Sequence, residues 1–298
     1  MDKLKGIFAA SITPLNDDFS PDLEAIPEYL AFLAGRGCHG ALILGTTGEG
    51  PSFSLQQRSQ IFKASVTVQE EYPDFRLLAG TSTPSLDETV KLTQAAFDLG
   101  LDGVVVLPPY YFRNSGDGGL LAWYKYVIEK SVPQGGKIYA YHIPALTGVD
   151  LPIDLLQRLA DNYPGKFAGI KDSSGDQQFA EKLGETFGDE LSVFTGNDRL
   201  LTHALRHHAA GCITAIANLI SPDLRVLWEA DQLHKSTEAS QRKINQVRET
   251  CEQFQPFPPL IKYLVHHFFG FPRWPLCPPL EDLSPINAEK VSTLLNLS

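Results

Sequence analysis

Hydrophobic positions along this chain follow two alternating patterns. Eight short runs are apolar at nearly every position: GIFAASI from Gly6, GALIL from Gly40, RLLAG from Arg76, GVVVL from Gly103, KIYAYHI from Lys137, FAGIK from Phe167, LSVFTG from Leu191 and GCITAI from Gly211. Such continuity suits strands covered on both faces, as in a parallel sheet. Between the runs, apolar residues recur at helical spacing, as with Leu23, Ile26, Leu30 and Leu33. Punctuation supports helices there. Ser20–Pro21 predicts a cap and first helical residue, while Ser54 with Gln57 and Ser85 with Glu88 fit capping boxes. Gly100 and Gly211 follow helical segments as helix-ending glycines do, and Ser221–Pro222 predicts a further helix start.

Eight strand–helix units in about 230 residues predict an α/β protein of the (β/α)8 barrel class. A doubly wound sheet is the alternative, but no GxGxxG follows the first run. Beyond residue 234 the pattern changes to helical stretches near 236–254, 259–269 and 286–296, separated by prolines. The chain therefore reads as a barrel over 1–234 and a helical extension over 235–298. NSGDGG from Asn114 reads as a flexible loop, and it lacks the lysine and hydroxyl of a phosphate-binding P-loop.

In such barrels the chemistry sits at the C-terminal ends of the strands. Those ends hold GTTGEG after the second run, PPYYF after the fourth, Tyr141 on the fifth, Lys171 on the sixth and TGND after the seventh. Lys171 ends a buried strand, and burial disfavours the charged form of an amine. A neutral amine is a nucleophile able to form a Schiff base with a ketone. The other reading of Lys171 is a strand-end lysine that snorkels or pairs with Asp172. Tyr141 lies one unit earlier and faces the same mouth, where a phenol can move protons; the alternative is a core aromatic with a satisfied hydroxyl. Thr46, Thr47 and Gly48 lie in a glycine-rich turn that presents amides and hydroxyls to a small anion such as a carboxylate, or is a plain strand-to-helix turn. Glu49 is expected to orient that turn.

Composition narrows the classes. The formal charge of −10, with 43% hydrophobic and 20% charged residues, fits a soluble globular enzyme and argues against a nucleic-acid binder. No run of about 18 apolar residues predicts a membrane span. MDKLKGIFAASITPL reaches Pro14 too soon for a secretory signal. The four cysteines (Cys38, Cys212, Cys251, Cys277) form no CxxC and read as reduced thiols of a cytoplasmic protein. The adjacent pairs His207–His208 and His266–His267 point about 100° apart on a helix, so no metal site is expected from them. His142 alternates to the opposite strand face from Tyr141, which predicts a packing role.

The motifs GTTGEGPSFS, PPYY, YHIPALTG, GIKDSSGD and TGND, in this order, resemble the dihydrodipicolinate synthase / N-acetylneuraminate lyase superfamily of Schiff-base, pyruvate-dependent aldolases. The resemblance runs from GIFAASITPL to FPRWPLCPPL. It implies a (β/α)8 barrel with a helical extension, no metal or organic cofactor, and a homotetramer of paired dimers. It implies that Lys171 is the Schiff-base lysine and Tyr141 the acid/base. Thr46 would relay protons, with Tyr111 completing the relay from a partner subunit. Thr47 would bind the pyruvate carboxylate. Ser173, Gly196 and Asp198 match positions on the aldehyde side of the substrate.

Departures bear on the branch. The synthases of lysine biosynthesis show an arginine where this chain has Leu146, and leucine cannot pair with a carboxylate. IPALTGV instead looks like the sialic acid lyase and 2-keto-3-deoxy sugar acid branches, although Arg199 and Ala215 depart from the sialic acid pattern. Arg199 either meets an acidic group of the substrate or is a surface residue. The expected function is thus a lyase joining pyruvate to an aldehyde. The alternatives are 4-hydroxy-tetrahydrodipicolinate synthesis and a non-catalytic keto-acid binder.

Overall fold

The computed structural model describes residues 3–295. Eight parallel strands close a barrel in sequence order: β1 (Gly6–Ala10), β2 (Gly40–Ile43), β3 (Arg76–Gly80), β4 (Gly103–Val106), β5 (Ile138–His142), β6 (Phe167–Asp172), β7 (Ser192–Thr195) and β8 (Gly211–Thr214). Each corresponds to one of the eight apolar runs. Helices ring the outside, and the (β/α)8 architecture is the one the alternation predicts.

The strands are apolar throughout because both faces are buried. Phe8, Leu42, Leu78, Val105, Tyr139, Phe194 and Ile213 fill the barrel, with the Phe8 and Phe194 rings 5.3 Å apart. The alternate residues pack outward under the helices, as Ile7, Ala41, Leu77, Val104 and Ile170 do. This two-sided burial leaves few positions for polar side chains, so a polar residue on a strand needs a specific partner. At the base of the barrel the His39 Nδ1 accepts the Ile7 N–H at 2.9 Å. Gly6 (φ +108°) makes room, since any Cβ there would run into the His39 ring.

Helix punctuation is right in some places and shifted in others. Ser54 and Gln57 form a reciprocal capping box, and Ser85 accepts the Glu88 N–H. Ser20–Pro21 does not start a helix. Pro21 pairs with Leu15 across a tight reversal, and the helix Ala25–Gly35 begins later, where the Asp22 carboxylate accepts the Glu24 and Ala25 N–H groups. Gly211 does not end a helix either. The preceding helix, Leu201–Arg206, closes through His207 and His208, and Gly211 opens β8 against Gly6. The NSGDGG stretch is only partly loop, because the helix Asp117–Ser131 takes in Asp117, Gly118 and Gly119. Burial of Leu120, Tyr124, Val127 and Ile128 outweighs the cost of two glycines in the first turn. Ser221–Pro222 begins the regular part of the helix Ala217–Gln232, just after a kink at Ile220.

The extension contains helices Glu238–Glu252, Phe257–Phe269 and Pro285–Leu294; residue 296 of the third expected stretch lies outside the described residues. Its connecting segment returns to the barrel through aromatic contacts. Phe271 and Trp274 pack edge-on against Tyr29, at 5.3 and 5.6 Å between ring centroids. All four cysteines are buried and free, and burial pushes the Cys38 and Cys251 thiols up to about 12. Among the described residues, no helix is long and apolar enough to cross a membrane.

Candidate active site

Strand parity sets the site. Along β5 and β6, Tyr139, Tyr141 and Lys171 face the barrel interior, while Ile138, Ala140 and Ile170 face the helices. Tyr141 and Lys171 are direct cross-strand neighbours in register. The Lys171 Nζ lies 4.1 Å from the centroid of the Tyr141 ring, and Lys171 is only 3% exposed. An amine is thus held against an aromatic face inside the mouth of the barrel, with little access to water.

The Tyr141 phenol has the environment of an acid/base. Burial alone would raise it. The Lys171 charge, together with hydrogen bonds from Thr46, Lys171 and Ser173, outweighs burial and holds the phenol below its ordinary range. Lys171, Thr46 and Ser173 thus all lie near the Tyr141 phenol. A cavity beside them is lined by Gly45, Thr46, Gly80, Ser82, Leu107 and Tyr141.

The turn after β2 is shaped by unusual backbone. Leu44 and Glu49 both adopt positive φ, at 54° and 55°. For residues with a Cβ, such conformations cost about 1–2 kcal/mol each and persist only where surroundings enforce them. The enforcement is visible. Thr13 Oγ1 donates to the Gly48 carbonyl at 2.7 Å. Glu49 is buried, with Oε1 2.6 Å from Lys262 Nζ and Oε2 accepting the Cys277 N–H at 2.8 Å. Lys262 also donates to the Pro275 carbonyl at 2.6 Å. The helical extension thus grips the loop that holds Thr46, Thr47 and Gly48. Lys262 sits in the apolar stretch FPPLIKYL and its ion-pair role is invisible without the tertiary contact.

The residues after β7 divide. Gly196 lies against Ser173, whose Oγ occupies the space a Cβ would need, so glycine is what lets these two loops meet. Asp198 is fully buried, and its carboxylate accepts from Thr214 Oγ1 and from Arg248, 3.2 Å away. Burial raises the Asp198 carboxyl, and Arg248 and Thr214 oppose that rise. Arg199 does not join them: its guanidinium lies 3.2 Å from Glu252 and 3.5 Å from Glu249 on the helix Glu238–Glu252. The charged partner of Asp198 is Arg248, from the extension, a residue with no motif signal.

Leu146 and Tyr111 are at the rim. Leu146 lies on the one-turn helix Pro144–Thr147 and is 59% exposed. Tyr111 is 74% exposed and stacks edge-on with Phe112, so the single chain does not bring it to Thr46 or Tyr141. Arg113 crosses the same rim, where its side chain packs over Gly148 and its Nε donates to the Tyr110 carbonyl at 3.3 Å.

Comparison with known proteins agrees with this geometry. The model of the dihydrodipicolinate synthetase family matches residues 3–297. An uncharacterized DapA-like lyase from Chloroflexus aurantiacus is 34% identical over 97% of this chain and 94% of its own. A 4-hydroxy-tetrahydrodipicolinate synthase from Methanospirillum hungatei is 28% identical over 98% of both chains. The crystal structure of dihydrodipicolinate synthase from Agrobacterium tumefaciens superposes with a TM-score of 0.88 at 28% identity, covering 98% of each chain. With a family match over nearly its whole length, a closed eightfold barrel, and a lysine and tyrosine paired in its mouth, this chain belongs to the dihydrodipicolinate synthetase family and is a carbon–carbon lyase of the class I aldolase type.

Proposed function

We propose that the protein reversibly joins pyruvate to an aldehyde through a Schiff base on Lys171, and that its product or substrate is a 2-keto-3-deoxy sugar acid or a related N-acetylneuraminate-lyase-type acid. The observation that carries this reading is the buried Lys171 amine held 4.1 Å from the ring of Tyr141, its cross-strand neighbour. The amine of Lys171 adds to the C2 ketone, and loss of water gives an iminium. The iminium accepts the electron pair released when the C3–C4 bond breaks, so an aldehyde leaves and an enamine remains. Protonation at C3 and hydrolysis return pyruvate and the free lysine. Tyr141 and Thr46 carry the protons to and from the carbinolamine and the C4 oxygen. Thr47 and Gly48 bind the keto-acid carboxylate from the glycine-rich turn. Gly196 and Ser173 bound the aldehyde side, and Asp198, buried and held by Thr214 and Arg248, supports the turn beneath them.

The substrate branch rests on Leu146. Leucine at this rim position supplies no cation for a second substrate carboxylate, which counts against aspartate semialdehyde. One observation favours a second reading. Arg113 lies over Gly148, close in sequence to Leu146, and supplies a cation at the same rim. Aspartate semialdehyde, the aldehyde of 4-hydroxy-tetrahydrodipicolinate synthesis, has a carboxylate suited to it. We further infer that a second copy of the chain covers the exposed Tyr111–Phe112 pair and that Tyr111 completes the proton relay across this contact, within a homotetramer.

Borohydride reduction in the presence of pyruvate tests the chemistry: a mass increase on Lys171 is expected, and its absence would leave only a keto-acid binder. A panel of 2-keto-3-deoxy acids, with pyruvate release as the readout, tests the branch. Turnover with aspartate semialdehyde that falls in Arg113→Ala would instead favour the second reading. Light scattering tests the assembly.

A further inference from the structure

Away from the mouth, three side chains converge on the outer ring of helices. Glu181 belongs to the helix Gln177–Phe187, and His203 and His207 lie one turn apart at the end of the helix that follows β7. One possible ligand atom from each lies within 4.8 Å of the other two. Glu181 Oε2 is 3.6 Å from His203 Nε2 and 3.8 Å from His207 Nε2. A tetrahedral zinc ion with bonds of about 2.0–2.1 Å sets its ligands roughly 3.3 Å apart, so closing the site needs only small side-chain rotations.

The second nitrogen of each ring is also engaged. His207 Nδ1 lies 3.3 Å from Glu185 Oε1, and His203 Nδ1 lies 3.5 Å from the Gln177 side-chain amide. Metal-binding imidazoles donate the outer N–H to a carboxylate or carbonyl, which aims the inner nitrogen and makes it more basic; Glu185 is such an acceptor for His207, and the Gln177 amide serves His203 in the same way once turned to present its oxygen. His203 Nε2 itself is buried and has no hydrogen-bond partner. Buried polar atoms are nearly always partnered, and a ligated ion would provide the partner. His208, the sequence neighbour of His207, turns away to Asp189, so the relevant pair is spaced by four residues.

We propose that Glu181, His203 and His207 bind one divalent ion of the imidazole-preferring class, Zn2+ foremost, with a water completing the tetrahedron. The ion clasps the helix after β6, the strand that holds Lys171, to the helix after β7. The site lies outside the catalytic machinery, so its test does not depend on the substrate.

Untagged full-length protein, stripped with chelator, is titrated with ZnCl2 by calorimetry at neutral pH and followed by thermal melting. One ion per chain and a raised melting temperature are expected, with no response to Mg2+. Loss of an outer partner at such sites weakens binding about 10–100-fold, so Glu185→Gln should fall in that range and His203→Ala or His207→Ala at least as far. The metal-free melting temperature and basal turnover of these variants should match the parent, which verifies folding. Co2+ should give visible d–d absorption in the parent and lose it in His203→Ala. Absence of saturable Zn2+ binding, or undiminished binding in the H203A/H207A double variant, would overturn the site.

Discussion

His142 Nδ1 lies 2.8 Å from Asp172 Oδ1, directly behind the Tyr141–Lys171 pair. The two pairs occupy consecutive rungs of the same β5–β6 ladder, one facing the mouth and the other the helices. Asp172 is buried and also accepts the Ser174 N–H and hydroxyl. The strand segment bearing the lysine is therefore fixed from its outer face by a charged hydrogen-bond cluster. Removing the imidazole with His142→Leu leaves a buried carboxylate short of a donor and should cost about 1–3 kcal/mol. Urea unfolding measures this, and His142→Asn, which restores a donor, should lose less. Equal losses in both variants would mean that ring packing against Phe179, 4.9 Å away, dominates.

Lys171→Ala should abolish turnover and borohydride trapping while leaving the melting temperature near that of the parent. The side chain is buried, but its replacement removes no apolar core residue. Wild-type rates in this variant would refute the Schiff-base mechanism.

Tyr141→Phe keeps the ring against Lys171 and removes the proton carrier, so kcat should fall about 10²–10⁴-fold. The same phenol predicts a pH dependence. Its deprotonated form is favoured by Lys171 and by hydrogen bonds from Thr46 and Ser173, so activity needing the phenolate should rise with pH through a midpoint below that of an ordinary tyrosine. Ser173→Ala withdraws one of those hydrogen bonds and should move the midpoint upward. A pH–rate profile that stays in place would remove Ser173 from the account.

Lys262→Met tests the grip of the extension on the catalytic turn. Breaking one side of a buried ion pair leaves the other charge uncompensated, at a cost of about 3–5 kcal/mol. Chemical denaturation should register that loss. Where the variant folds, KM for pyruvate should rise, because the Thr46–Gly48 turn loses its anchor through Glu49. An unchanged KM would confine the pair to stability.

His39 predicts acid sensitivity. Burial, aided by Arg225, lowers this histidine from 6.5 to about 4. A depressed folded value means the stability is fully present above 6.5 and is lost as pH falls from there toward 4. The partial exposure of the ring limits the effect to about 1–2 kcal/mol after solvent screening. In His39→Asn, which retains an acceptor for the Ile7 N–H, stability should fall less over that interval; an identical slope would assign it to other groups.

Much of this molecule is legible along the chain. Eight doubly buried strands leave eight continuous apolar runs, and amphipathic helices leave their spacing between them. Periodicity reports burial, and burial is what a barrel repeats. Lys171 and Tyr141 were legible for the same reason: a polar side chain ending an apolar strand stands out against its neighbours. Local punctuation was less dependable. Ser20–Pro21 and Gly211 have the right residue types for helix ends, but a reversal at Pro21 and strand pairing at Gly211 determine their conformations.

What the sequence by itself determined was the repeating architecture, the strand faces and the two polar side chains, Lys171 and Tyr141, that meet in the mouth of the barrel. Tertiary structure alone decided which distant charges meet. Lys262 with Glu49, Arg248 with Asp198, Arg199 with Glu249 and Glu252, and Glu181 with His203 and His207 are all joined across separate elements. No periodicity encodes such pairs. The buried pairs, Lys262–Glu49 and Arg248–Asp198, arise because a charge enclosed by an apolar core must find a partner wherever the fold brings one within reach.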